Sequence, residues 1–269
     1  MVPLKPTVPA LFHWRWAILA AAGLAAAVWL ALTPAGLLGK ADAVGYAVCH
    51  RIDLRSFHFG DRQMPLCARC SGMYLGFVAA AVLQLVWGRR GGMPGWRMYV
   101  FLALLLAGFG LDGVNSYLHF FPNFPTLYAS QNWLRLVTGT GMGVDIAVML
   151  VPVFHQTMWT QWDGRPAFNT PGRFLTLLGV EALVIAAVLS ENPFILFPLA
   201  LIGSAGVLAV LTLVYAMVLA MVFKFENGFD RARQLWLPLL AGFTVALVQI
   251  GVMDLGRFWL THTWAGFNF

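Results

Sequence analysis

The chain has 269 residues, 60% of them hydrophobic and only 10% charged, with a mean hydropathy of +0.75. Soluble domains carry about a quarter charged residues, so a cytosolic enzyme, a disordered tail and a coiled coil are excluded and a polytopic membrane protein remains. The net charge of +6 does not mark a nucleic-acid binder, because the bases lie dispersed between apolar runs and form no basic stripe.

A helix crosses the hydrocarbon with about 20 mostly apolar residues. Seven runs meet that length, at roughly 15–37, 71–88, 97–118, 132–157, 173–190, 194–224 and 235–260. They predict an all-α membrane bundle, one transmembrane domain over 1–269, with a Cys/His/Arg-rich loop over 38–70 between the first and second spans. The first run ends in Ala41-Asp42-Ala43, which resembles a secretory cleavage site. It is longer than a signal core and reads as a retained helix. The sixth run is overlong and must tilt, extend beyond the membrane or bend near Pro198. Trp14, Trp16, Trp87, Trp96, Trp159 and Trp236 read as headgroup anchors. No internal repeat supports an inverted-repeat transporter.

Bases on alternate sides set the expected orientation. One side receives Lys5, Arg15, Arg89, Arg90, Arg97, Arg165, Arg173, Lys224, Arg231 and Arg233; the other receives Lys40, Arg51, Arg55, Arg62 and Arg69 in a single loop. This places the amino terminus on the cytoplasmic side and the cysteine loop outside.

That loop holds all three cysteines. It reads Cys49-His50, Arg55-Ser56-Phe57, Gly60, Arg62-Gln63, then Pro65-Leu66-Cys67-Ala68-Arg69-Cys70-Ser71-Gly72 and Tyr74. This pattern, with Asp112-Gly113, Asn132-Trp133-Leu134-Arg135 and Thr138-Gly139, resembles a family of predicted prokaryotic membrane proteins, domain-of-unknown-function family 2085. The resemblance covers roughly residues 45 to 145 and implies membership without implying an activity.

Three cysteines and an adjacent histidine suit a tetrahedral zinc site, with Cys67 and Cys70 binding from one turn. Cys49 and His50, or His58 in place of His50, would close it. The rival is redox: a Cys-x-x-Cys pair at a helix start feels the helix dipole, which favours the thiolate. A thiol–disulfide relay needs a second pair, however, and Cys49 has no partner. Three inert buried thiols are the plainest reading.

Ionisable groups inside a membrane are functional candidates. Asp112 and Asn115 share one helix face near the loop's level, as do Asn132 and Arg135, with Gly139 and Gly143 leaving room for a helix or a ligand. Asp112 is placed to bridge Arg135, and Asp254 to pair with Arg257 three residues on. Asp145 and Glu181 lie mid-span as possible protonation sites.

The leading expectation is binding or transport of an anionic ligand, small or lipid-like. Arg55, Arg62, Arg69 and Arg135 would hold the anion with Asp112 and Asn132 in support, and zinc on Cys49, His50, Cys67 and Cys70 would order the loop. The alternatives are a membrane thiol–disulfide oxidoreductase, a metal-assisted hydrolase and a structural subunit of a membrane complex. No serine-hydrolase elbow, His-Glu-x-x-His or phosphate-binding loop appears.

Overall fold

A computed structural model describes residues 13–121 and 124–267. Eight α-helices dominate the described residues: α1 (Arg15–Leu32), α2 (Gly36–Val48), α3 (Ala68–Val86), α4 (Trp96–Leu118), α5 (Asn132–Met158), α6 (Pro171–Leu189), α7 (Pro193–Val222) and α8 (Trp236–Thr261). All but α2 are long and apolar enough to cross a membrane, which gives the seven spans expected from run length. Their outer faces carry large apolar side chains, such as Leu104, Leu111 and Val114 on α4. A continuous surface of that kind needs hydrocarbon around it. The protein is a multi-pass membrane protein. Its overlong span, α7, remains one helix of 30 residues with Pro198 inside it.

The first apolar run breaks earlier than its hydropathy predicts. Thr33 precedes Pro34, and the proline ring holds it extended, at φ −102° and ψ 157°. Lys40 then covers the open helix end, donating to the carbonyl oxygens of Leu30 and Thr33. The chain turns into α2, a helix within the stretch read as loop from sequence. Ala43, Val44 and Tyr46 of α2 are buried, in an element packed on α7 and α8. A Cβ on Gly45 would lie 1.9 Å from the Pro65 carbonyl oxygen, so only glycine lets α2 support the loop at this distance.

The central pair is α3 with α5. Gly72 and Gly76 face α5, and Gly139 and Gly143 face α3, each pair one turn apart. A Cβ on Gly139 would sit 2.2 Å from the Arg69 carbonyl oxygen, and one on Gly143 would sit 2.2 Å from that of Met73. The room left by Gly139 and Gly143 is therefore filled by a helix, not by a ligand.

The two ends of the bundle differ. At one, β3 (Arg90–Gly92) pairs in parallel with β4 (Asp163–Pro166), and Trp159 bridges Phe229, so the connections after α3, α5 and α7 meet. The larger group of bases lies here, apart from Lys5, which is outside the described residues. Trp159 is buried at this end instead of anchoring in headgroups. Arg89 stacks on its ring and its Nε1 donates to His155 Nδ1 at 2.9 Å. At the other end lie α2, the cysteine loop and the hairpin of β1 (His58–Phe59) with β2 (Arg62–Gln63), turned at Gly60 with φ +63°. The carboxyl-terminal segment joins it, where Phe267 N–H donates to the His50 carbonyl at 3.0 Å.

Candidate functional site

The three thiols converge from two elements. Cys49 ends α2, Cys67 is the N-cap of α3 and Cys70 lies in its first turn. Their sulfurs all lie within 4.8 Å of one another, and all three are free thiols. Tetrahedral metal–sulfur bonds of about 2.3 Å put sulfurs nearly 4 Å apart, so the group can hold one metal ion. Cys49 Sγ accepts the backbone N–H of Arg51 at 3.5 Å and of Cys67 at 3.4 Å. Hydrogen bonds from the Cys67 and Cys70 thiols hold the Cys49 thiol well below its ordinary range. The same bond to Cys49 pushes Cys67 up to about 12.

Neither histidine belongs to that compact group. His58 Nε2 lies 2.8 Å from Asp53 in a solvent-facing pair. His50 Nδ1 accepts the Ile52 N–H at 3.0 Å, which leaves Nε2 as its remaining ligand atom. Burial lowers the His50 pKa against the opposing pull of Cys49, and nearby Arg55, Arg69 and Arg135 push the same way as burial. The imidazole is thus held neutral, the form that binds metal.

Beside the thiols lies a cluster of guanidinium groups. Arg69 pairs with Asp112, and also donates to Ser116 Oγ at 2.9 Å. Arg55 donates to the Ser116 carbonyl at 3.1 Å, and Arg135 to Asn132 Oδ1 at 2.8 Å. Asn132 in turn donates to the carbonyls of Leu54 and Ser56, which ties the loop to the start of α5. Arg55 and Arg69 act on Arg135 as like charges, and Arg69 also acts on Arg55, whose pKa falls through burial and that repulsion. Arg135 is buried and its Nε has no partner. Five of the six predicted ligand residues, Arg55, Arg69, Asp112, Asn132 and Arg135, therefore meet.

Arg62 stands elsewhere. It donates to Asp42 at 2.6 Å, and Arg51 holds the other oxygen of that carboxylate at 2.8 Å. Two ion pairs expected from spacing are also redirected. Asp112 takes Arg69 where Arg135 was expected, because the close α3–α5 crossing brings Arg69 to α4. Asp254 accepts Trp29 Nε1 at 3.3 Å, while Arg257 donates to the carbonyls of Tyr46, Cys49 and His50. Arg257 thus fixes the backbone that presents Cys49.

Several cluster residues escaped the sequence reading. Ser116 lies one turn beyond Asp112, so helical spacing could have found it. Tyr128 donates to Asp112 Oδ1 at 2.9 Å from an aperiodic connection that Asn115 clamps through Leu127 and Tyr128. Asp42 carried no signal in the sequence beyond its A-x-A setting.

Residues 49–149 match the family described as predicted membrane protein (DUF2085). An uncharacterized protein of Methanothermobacter thermautotrophicus is 30% identical over 112 residues, which is 40% of this chain and 88% of that protein. One of Methanocaldococcus jannaschii is 25% identical over 122 residues, 45% of this chain and 72% of that protein. No solved structure matches the chain. The family match opens at Cys49 and closes in α5 at Met149, so it takes in the thiols and the arginine cluster and leaves α6, α7 and α8 outside. The chain belongs to this family of predicted membrane proteins, domain-of-unknown-function family 2085.

Proposed function

We propose that this protein binds, and moves across the membrane, an anionic ligand of the phosphate or carboxylate type, taken up as a free ion or as a lipid headgroup. The cluster of Arg55, Arg69 and Arg135 receives it. One observation carries the reading: of the three guanidinium groups only Arg69 pairs with a carboxylate, that of Asp112, among the described residues, and buried Arg135 keeps an unpartnered Nε. Excess buried positive charge is costly unless an anion neutralises it. Asn132 orients Arg135, and Tyr128 and Thr138 hold Asp112 on Arg69.

In this reading Cys49, Cys67 and Cys70 hold zinc with His50 as the fourth donor, and the metal fixes the loop beside the cluster. Asp145 on α5 and Glu181 on α6 support transport over binding alone, because neither oxygen of either carboxyl has a partner. Unpaired acids inside spans are the usual proton carriers of transporters. The distribution of bases supports an inward amino terminus, with the cluster on the outer side of a cytoplasmic membrane.

The test is titration of the purified protein with inorganic phosphate, dihexanoyl phosphatidic acid and dihexanoyl phosphatidylcholine. The anions bind and the zwitterion does not; preference for the phosphatidic acid over phosphate identifies a headgroup as the natural ligand. Arg135→Ala weakens anion binding about tenfold or more, a loss of about 1.4 kcal/mol, with zinc content unchanged. Equal binding of all three probes, or none, overturns the reading. Metal-free protein with a reversible Cys67–Cys70 disulfide would instead favour a thiol–disulfide oxidoreductase, a reading supported by the thiolate-stabilising setting of Cys49.

A further inference from the structure

Beyond α8 the chain folds back across the thiol loop. His262 ends the helix in the left-handed conformation, at φ 53° and ψ 22°, and turns residues 263–267 towards α2 and residues 49–51. Tyr46 of α2 donates to the Thr263 carbonyl at 2.7 Å and packs its ring against Trp264, with centroids 5.0 Å apart. The Arg51 guanidinium donates to the Trp264 carbonyl at 3.3 Å, and the Phe267 N–H reaches the His50 carbonyl at 3.0 Å. A Cβ on Gly266 would lie 1.7 Å from the Arg51 carbonyl oxygen, so any side chain here lifts the segment away. The Phe267 ring covers the Arg257 guanidinium at 4.3 Å, and that guanidinium holds the carbonyls of Tyr46, Cys49 and His50.

The stretch gripped in this way is strained. Arg51 has φ 51°, a left-handed conformation that is unfavourable for any residue with a Cβ and persists only where the surroundings enforce it. Cys49 and His50 directly precede Arg51, so an ion held by them enforces the same backbone shape from within that residues 263–267 enforce from outside. Two partners that favour one conformation of a shared element raise each other's affinity. We infer that residues 262–267 form a strap coupled to the metal site. A zinc ion on Cys49, His50, Cys67 and Cys70 tightens the strap, and release of the strap loosens the ion. The coupling presupposes zinc at those four residues, and its moving part comes from outside the family match, since Arg257 and the strap lie beyond residue 149.

The test reads the coupling in both directions on the full-length detergent-solubilised protein. Chymotrypsin cleaves at Trp264 about tenfold faster after chelation than with zinc bound, whereas cleavage at exposed Trp162, at the other end of the bundle, is unchanged. In reverse, Gly266→Ala binds zinc about tenfold more weakly than the unaltered protein. Gly256→Ala, whose Cβ would meet nothing within 4 Å, keeps the affinity. Cleavage at Trp264 indifferent to chelation, or equal zinc affinity in the two glycine variants, overturns the coupling and leaves the metal site standing. Absence of zinc binding in the unaltered protein overturns the metal site and the coupling with it. If Gly266→Ala does not fold, the comparison of cleavage with and without zinc decides alone.

Discussion

Arg69 of α3 reaches across to Asp112 of α4, and Arg135 of α5 stands beside this pair, its guanidinium bonded only to the Asn132 amide among the described residues. The consequence is an asymmetry between two charges in one cluster. One is neutralised inside the protein and holds two helices together. The other is held in place by an amide and keeps its charge available.

That asymmetry separates stability from binding. Asp112→Asn leaves the partly buried Arg69 without its counter-ion, which costs about 3 kcal/mol and lowers the thermal midpoint markedly. Arg135→Gln removes like-charge repulsion and destabilises less than Asp112→Asn, yet weakens anion binding about tenfold or more. Thermal unfolding paired with phosphate titration reads both. Equal destabilisation by the two variants would make Arg135 part of the scaffold.

The thiol group predicts near one zinc per chain, lost when a ligand is removed from a four-donor site. Cys49→Ser and Cys67→Ser purify with little metal, His50→Ala binds zinc more weakly, and His58→Ala retains it, because His58 is engaged by Asp53. Elemental analysis of the four variants settles the order. Retention of zinc in His50→Ala together with its loss in His58→Ala would reverse the assignment of the fourth donor.

The pH dependence of metal binding has a definite sign. Cys67, pushed up to about 12, is protonated at neutral pH in the metal-free protein, so zinc must displace its proton. Affinity therefore weakens as pH falls, by about tenfold per pH unit for each proton displaced. Competition with a chelator across the neutral range measures the slope. A flat profile would mean that Cys67 is not a ligand.

The α3–α5 crossing predicts opposite results for two glycines. Gly139→Ala forces a Cβ to within 2.2 Å of the Arg69 carbonyl oxygen, an overpacking that costs about 1–3 kcal/mol and displaces Arg69 from Asp112. At Gly108 a Cβ would meet nothing within 4 Å, so this position tolerates alanine and gains up to about 1 kcal/mol of helix propensity. Thermal unfolding of the two variants checks this, and a similar gain in both would show that helix propensity, not close approach, governs these positions.

Much of the architecture was legible in the residues alone. Apolar run length located seven spans because lipid leaves a backbone few ways to satisfy its hydrogen bonds. The clustering of Cys49, Cys67 and Cys70 announced a thiol site because no cysteine occurs elsewhere to dilute the pattern. The partner of each charge was not legible. Spacing along one helix suggested Asp254 with Arg257, yet Trp29 from α1 and three carbonyls of the Tyr46–His50 segment took them instead. Nor did hydropathy reveal α2, since Pro34 breaks a run whose composition continues through it.

The one-dimensional pattern determined that the chain lies in a membrane and that its three cysteines gather at one loop, because burial in lipid and thiol chemistry depend on residue type. Which arginine is neutralised and which histidine stays free were decided by tertiary structure. Those outcomes depend on how closely α3, α4 and α5 approach, and that distance is set by glycines whose effect appears only when a second helix is packed against them.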